Sequence, residues 1–136
     1  MSSYRDVSLW FDQLDEPLVP RPSLSGDLDV DVAVVGAGFT GLWTAYYLQQ
    51  LDSDLRIAVL EKEIAGFGAS GRNGGWCSAL YPVPIENLVR DAGRDAALAQ
   101  YAAMRGAVAE VEQVAAREGI DADVTRGGTV VLARSA

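Results

Sequence analysis

The sequence predicts an α/β fold that begins with a β-α-β unit of a parallel sheet, and three observations predict it. A β-branched run at residues 31–35 breaks at Gly36-Ala37-Gly38. An apolar-periodic stretch at 39–51 follows, with Phe39, Leu42, Ala45, Tyr46 and Leu48 spaced three or four residues apart, as one face of a helix requires. A second strand-like run at 55–60 then ends on the acid Glu61.

Residues 1–30 read as an arm. The segment SLWFDQL can form one amphipathic turn, and Pro17, Pro20 and Pro22 hold the next stretch extended. Trp10, Phe11 and Leu14 are expected to pack on the body as plain hydrophobic anchors.

In the β-α-β unit, Gly36, Gly38 and Gly41 fit G-x-G-x-x-G. Their mechanical reasons are, in order, a tight turn, close approach of backbone to a pyrophosphate, and tight packing of helix on strand. The helix N-terminus behind them offers free amides and the positive end of its dipole to anionic oxygens, with no lysine needed. Glu61 stands twenty residues after Gly41, where a carboxylate accepts hydrogen bonds from two ribose hydroxyls. A 2′-phosphate there would be repelled, which argues against NADP.

Next comes IAGFGASGRNGGWCSAL at 64–80, with glycines at 66, 68, 71, 74 and 75. Glycines weaken helices and strands, so this density beside a ribose carboxylate suggests backbone wrapped around a ligand, with Arg72 adding positive charge. Trp76, Ala79 and Leu80 are expected to be buried, and Cys77 to be a small packing residue rather than a flavin link or redox thiol.

Residues 85–90 predict a short helix before Gly93, and 95–118 a long one capped by Asp95 and ended by Gly119. Its predicted core face is Leu98, Tyr101, Met104, Val108, Val111 and Ala115, and Arg105, Glu110, Glu112 and Arg117 are its solvated face. The tail predicts a strand, a Gly127-Gly128 turn and an apolar strand at 129–133. That last strand, lacking partners, reads as the first part of a longer protein, with residues 83–136 leading into a second domain.

Composition bounds the function class. The 136 residues are 49% hydrophobic and 22% charged, the balance of a globular domain. A formal charge of −8 argues against nucleic acid and anionic membrane. One cysteine and no histidine make a disulfide or zinc site improbable, and a cytoplasmic setting is expected. Residues 32–51 are uncharged over a membrane-spanning length, but three glycines, two threonines, two glutamines and the preceding acids Asp27, Asp29 and Asp31 argue against a membrane span. The residues alone leave three readings open: a flavin-dependent enzyme, an NAD-dependent dehydrogenase, and a non-catalytic nucleotide-binding module.

VVGAGFTGLWTAYYL, AVLEKEIAGFGASGRNGGWCSAL and TRGGTVVLAR together resemble the FAD-dependent D-amino acid oxidase superfamily, closest to its branch of γ-glutamylputrescine oxidoreductase-like amine oxidases. The resemblance implies a Rossmann-like FAD-binding fold at 31–82 and oxidation of the C–N bond of a small-molecule amine or amino acid. Carried over by position, Gly36, Ala37, Gly38, Phe39, Thr40 and Gly41 would lie against the FAD pyrophosphate, and Glu61 with Lys62 against the adenosine ribose. Ala69, Ser70, Gly71, Arg72, Asn73, Gly74 and Gly75 would run beside the pyrophosphate, ribityl chain and flavin ring. Catalytic groups are not assigned, and the 136-residue chain by itself is expected to hold FAD poorly or not at all and to turn over no amine.

Overall fold

Two short strands, β1 (Val32–Val35) and β2 (Ile57–Leu60), pair in parallel with Val32 opposite Ile57 and Val35 opposite Leu60. The helix between them, α2 (Phe39–Leu51), packs on both. This is the expected β-α-β unit, seen in a computed structural model that describes residues 3–130 and 132.

The strands begin one and two residues later than the sequence predicts, because the residues before them are clasped by charge. Asp31 takes Arg56 in a two-pronged pair, Nε to Oδ2 at 3.1 Å and the second guanidinium nitrogen to Oδ1 at 3.0 Å. The Arg56 amide also donates to Oδ2 at 2.9 Å. The guanidinium hydrogen bonds, the largest cause, and the amide bond hold the Asp31 carboxyl at about 2. The clasp fixes the register at the open end of the sheet.

The β-branched run at 31–35 suits a buried parallel strand, but among the described residues the sheet is covered on one face only. Val32 and Val34 are half-buried beneath α2, whereas Val35 on the other face is 85% exposed. Among the described residues no second layer covers that face. Only part of the predicted helix face is covered, with Ala45, Tyr46 and Leu48 part-buried. Phe39 and Leu42 are exposed, while Gly41, Ala45 and Leu48 lie inward and Trp43 stacks on Tyr47 and meets Tyr46 edge-on.

Contacts divide the chain into two units, Met1–Gly75 and Trp76–Ala136. Within the first, the arm forms a 3₁₀ turn, Tyr4–Val7, and a helix, α1 (Leu9–Gln13). Ser3 and Ser8 cap these two segments through their hydroxyls. Arg5 closes the C-terminal end by donating to the carbonyls of Phe11, Asp12, Leu14 and Glu16. Phe11 is the anchor the sequence predicts, buried at 6%, while Trp10 and Leu14 keep about four-tenths of their surface, at 42% and 43%.

In the second unit, α3 (Ile85–Ala92) and α4 (Arg94–Arg117) fold against each other around Gly93, whose φ is +84°. Gly93 occupies the cap position predicted for Asp95, which sits in the first turn. In this unit Ala97, Val114 and Ala115 are buried, whereas Leu98 is 46% exposed. Gly119 ends α4 as predicted. Ile120 donates back to the Ala115 carbonyl at 2.8 Å and Gly119 to that of Ala116 at 3.3 Å, satisfying carbonyls of the last turn.

Three expectations for this unit fail. Trp76 and Leu80 are 88% and 62% exposed and Cys77 is exposed, because this glycine-flanked segment forms no helix or strand that would carry them into a core. The predicted strands of the tail are absent among the described residues, where no partner ladder forms; positions 131 and 133 of the second lie outside those residues. No described helix is long and apolar enough to cross a membrane.

Candidate functional site

The glycine turn is built by the strand that enters it. Gly36 continues the ladder by donating to the Leu60 carbonyl at 2.7 Å, then turns with φ +101°, a conformation L side chains rarely adopt. A β-carbon on Gly36 would point into open space, the side from which a ligand can approach the backbone. On Gly41 it would lie 2.0 Å from the Gly36 carbonyl oxygen and 3.2 Å from Val34 Cγ1, so α2 approaches β1 as closely as backbone permits. These are the turn and packing roles expected of the first and third glycines.

The first intrahelical hydrogen bond runs from Leu42 to the Gly38 carbonyl at 3.0 Å, which leaves the amides before it without partners inside the helix. Two of them are met by side chains from elsewhere. Ala37 donates to Glu61 Oε2 at 2.9 Å, and Phe39 donates to Ser70 Oγ at 2.8 Å.

Glu61 also accepts from the Glu63 amide at 3.1 Å. The Ala37 amide first, then those of Glu63 and Lys62, pull its carboxyl below the ordinary carboxylate range. It is therefore an ionised, acceptor-only group at neutral pH, at the end of β2 and against the glycine turn.

The glycine-rich loop folds back on the same place. Gly66 donates to the Ala37 carbonyl at 2.8 Å, and Gly71 to the Gly66 carbonyl at 2.7 Å. Ala69–Gly71 makes one 3₁₀ turn that brings Ser70 over the start of α2. Residues 36–41, Glu61 and 66–71 thus form one cluster.

Arg72 and Asn73 bond back to the loop rather than to the glycine turn. Arg72 lies over the Phe67 ring at 5.1 Å from its centroid and donates to the Gly68 carbonyl. Asn73 donates through its side chain to the Ser70 carbonyl at 2.6 Å and accepts from the Gly75 amide at 2.7 Å. Thr40, Lys62 and Gly74 are exposed. Sequence reasoning did not find that Ser70 caps α2, nor that the arm touches the loop; the arm's aromatic residues were the visible signal. Among the described residues, no group of three histidines, cysteines or acids could hold a metal.

Open space above a positive-φ glycine, amides clustered at a helix start and an ionised acid at the end of β2 fit a dinucleotide. A family model described as FAD dependent oxidoreductase matches residues 31–136. Gamma-glutamylputrescine oxidoreductase of Escherichia coli K12 is 36% identical over 112 residues, which is 82% of this chain and 26% of that protein. The probable oxidoreductase OrdL of Haemophilus influenzae is 36% identical over 90 residues, 66% of this chain and 20% of its own length. Sarcosine oxidase subunit beta of Rhodobacter capsulatus is 51% identical over 43 residues, 32% of this chain and 10% of that subunit. The chain thus spans about a quarter or less of these relatives. No solved structure is significantly similar to it.

Proposed function

Because the chain belongs to the FAD dependent oxidoreductase family, whose cofactor is FAD, we propose that it is the FAD-gripping portion of an enzyme that oxidises the C–N bond of an amine or amino acid. The observation that carries the proposal is the set of amides at the start of α2, held next to an ionised Glu61. Amides of residues 37–41 would donate to the pyrophosphate oxygens in exchange for Glu61 and Ser70, and the α2 dipole adds to the attraction. Glu61, released from Ala37, would accept from the adenosine ribose hydroxyls, and residues 69–75 would run along the flavin half. FAD, when bound, supplies the hydride acceptor.

The family match favours FAD over the NAD alternative. Two relatives carry nitrogen-containing substrates in their names, γ-glutamylputrescine and sarcosine, which supports the substrate class. Titration with FAD, followed by flavin fluorescence, tests the cofactor reading. Binding displaced by ADP is expected, weakened at least tenfold by Gly36→Val, since a β-branched residue at φ +101° is strained by roughly 1–3 kcal/mol and its atoms enter the ligand's space. Equal binding by the variant would overturn it. In a longer protein that carries this chain, anaerobic bleaching of the bound flavin by amines and not by alcohols tests the substrate class; the reverse selectivity would refute it.

A further inference from the structure

The N-terminal arm makes its contacts with the body at the glycine-rich loop. The Trp10 indole Nε1 donates to the Asn73 carbonyl at 2.7 Å, and its ring lies on Gly75: a β-carbon there would come within 2.7 Å of Trp10 Cζ2. Phe11, buried at 6%, meets Gly71, where an added β-carbon would be 2.7 Å from Phe11 Cζ. Tyr4 stands edge-on to Phe67 with ring centroids 5.8 Å apart, and its hydroxyl donates to Glu63 Oε2 at 3.0 Å. Arg72 covers Phe67 from within the loop.

Glycine is needed at 75 because the Trp10 ring occupies the space, and at 71 because the Gly66 carbonyl and then the Phe11 ring do. Gly75 also has φ +74°, so the loop bends there to lay its backbone on the indole. The arm is itself stiffened by two serine caps and by Arg5, so it is a shaped element rather than a trailing end. A glycine-rich loop in isolation has a large conformational entropy to lose on closing around a ligand, and a prior brace removes part of that cost.

We propose that the arm is a brace that pre-forms residues 71–75 for the flavin half of the cofactor, with Trp10 as its positioning residue. The proposal rests on the FAD reading of the site. Trp10 touches residues 73 and 75, not the amides at 37–41 or Glu61, so its effect falls on flavin and not on the ADP half.

The test uses, in a longer protein that carries this chain, hydrogen exchange of the ligand-free form together with dissociation constants for FAD and for ADP, in wild type, Trp10→Ala and Trp10→Phe. Trp10→Ala is expected to speed exchange of the Gly71 and Gly75 amides at least tenfold while leaving that of Gly36 unchanged. It is expected to weaken FAD about tenfold and ADP not at all. Trp10→Phe, which keeps a ring over Gly75 and loses the indole donor, is expected to recover part of the FAD affinity. Unchanged exchange at 71 and 75, or equal losses for FAD and ADP, would overturn the brace. A wild type that takes FAD and ADP, beside a Trp10→Ala variant with normal FAD affinity, would remove this inference and leave the site. A wild type that takes neither would remove both.

Discussion

Gly41→Ala adds one methyl group where the structure has least room. Its carbon would lie 2.0 Å from the Gly36 carbonyl oxygen, and real β-carbons essentially never come under 3.0 Å, so α2 has to withdraw by about 1 Å. The obstacle cannot swing aside, because it is backbone tied to β2 through the Gly36 amide and the Leu60 carbonyl at 2.7 Å. A gap of that size forfeits about a quarter to a half of the dispersion energy of each contact across the helix–sheet interface. Overpacking of this kind costs about 1–3 kcal/mol, and a backbone obstacle puts the cost near the top of that range. For a small domain about 3 kcal/mol lowers the melting temperature by roughly 12–24 °C. The same withdrawal carries the amides at the start of α2 away from the pyrophosphate, so FAD affinity should fall at least tenfold. Gly106→Ala is the opposing control. It lies inside α4 with nothing within 4 Å of an added β-carbon, and should stabilise the chain by about 0.5–1 kcal/mol. Thermal unfolding followed by circular dichroism reads both. If Gly41→Ala melts with the wild type and binds FAD equally, the close approach of α2 to β1 is wrong.

Glu61→Ala should weaken FAD by about tenfold or more in dissociation constant, measured by titration; an unchanged value would take Glu61 off the ribose. The Asp31 carboxyl sits at about 2 in the fold against 3.8 ordinarily, so the clasp with Arg56 contributes stability above about pH 4 that is lost as pH falls towards 2. Asp31→Asn should flatten that part of the acid-unfolding curve, and an identical curve for the variant would contradict the clasp. Cys77, being exposed, should react with a thiol reagent as fast in the native chain as in the denatured one, and Cys77→Ser should leave FAD binding unchanged; a protected thiol would contradict its placement.

The β-α-β unit was legible because each of its residues answers to a local rule. Helix spacing gave 39–51 as the structure has it, and the glycine pattern located both the positive-φ turn and the tight packing point. Burial was less legible, because periodicity names a face without saying what covers it. Val35, Phe39 and Leu42 are apolar by pattern and exposed in the fold. Leu98 is likewise apolar by pattern and exposed, while Ala97 beside it is buried. In the site, Glu61 was visible from spacing, but its hold on the Ala37 amide and the capping of α2 by Ser70 span twenty-four and thirty-one residues. The contact of Trp10 with Asn73 spans sixty-three residues and is equally invisible to local rules.

The most direct test of the central claim is an amide map of FAD binding by two-dimensional ¹H–¹⁵N NMR, which detects even a weak complex. The account predicts that FAD shifts the amides of residues 36–41 and 69–75, that ADP shifts the first group alone, and that Glu61→Ala diminishes both responses. Shifts confined to α3 and α4, or no shift at 36–41 at saturating FAD, would contradict it.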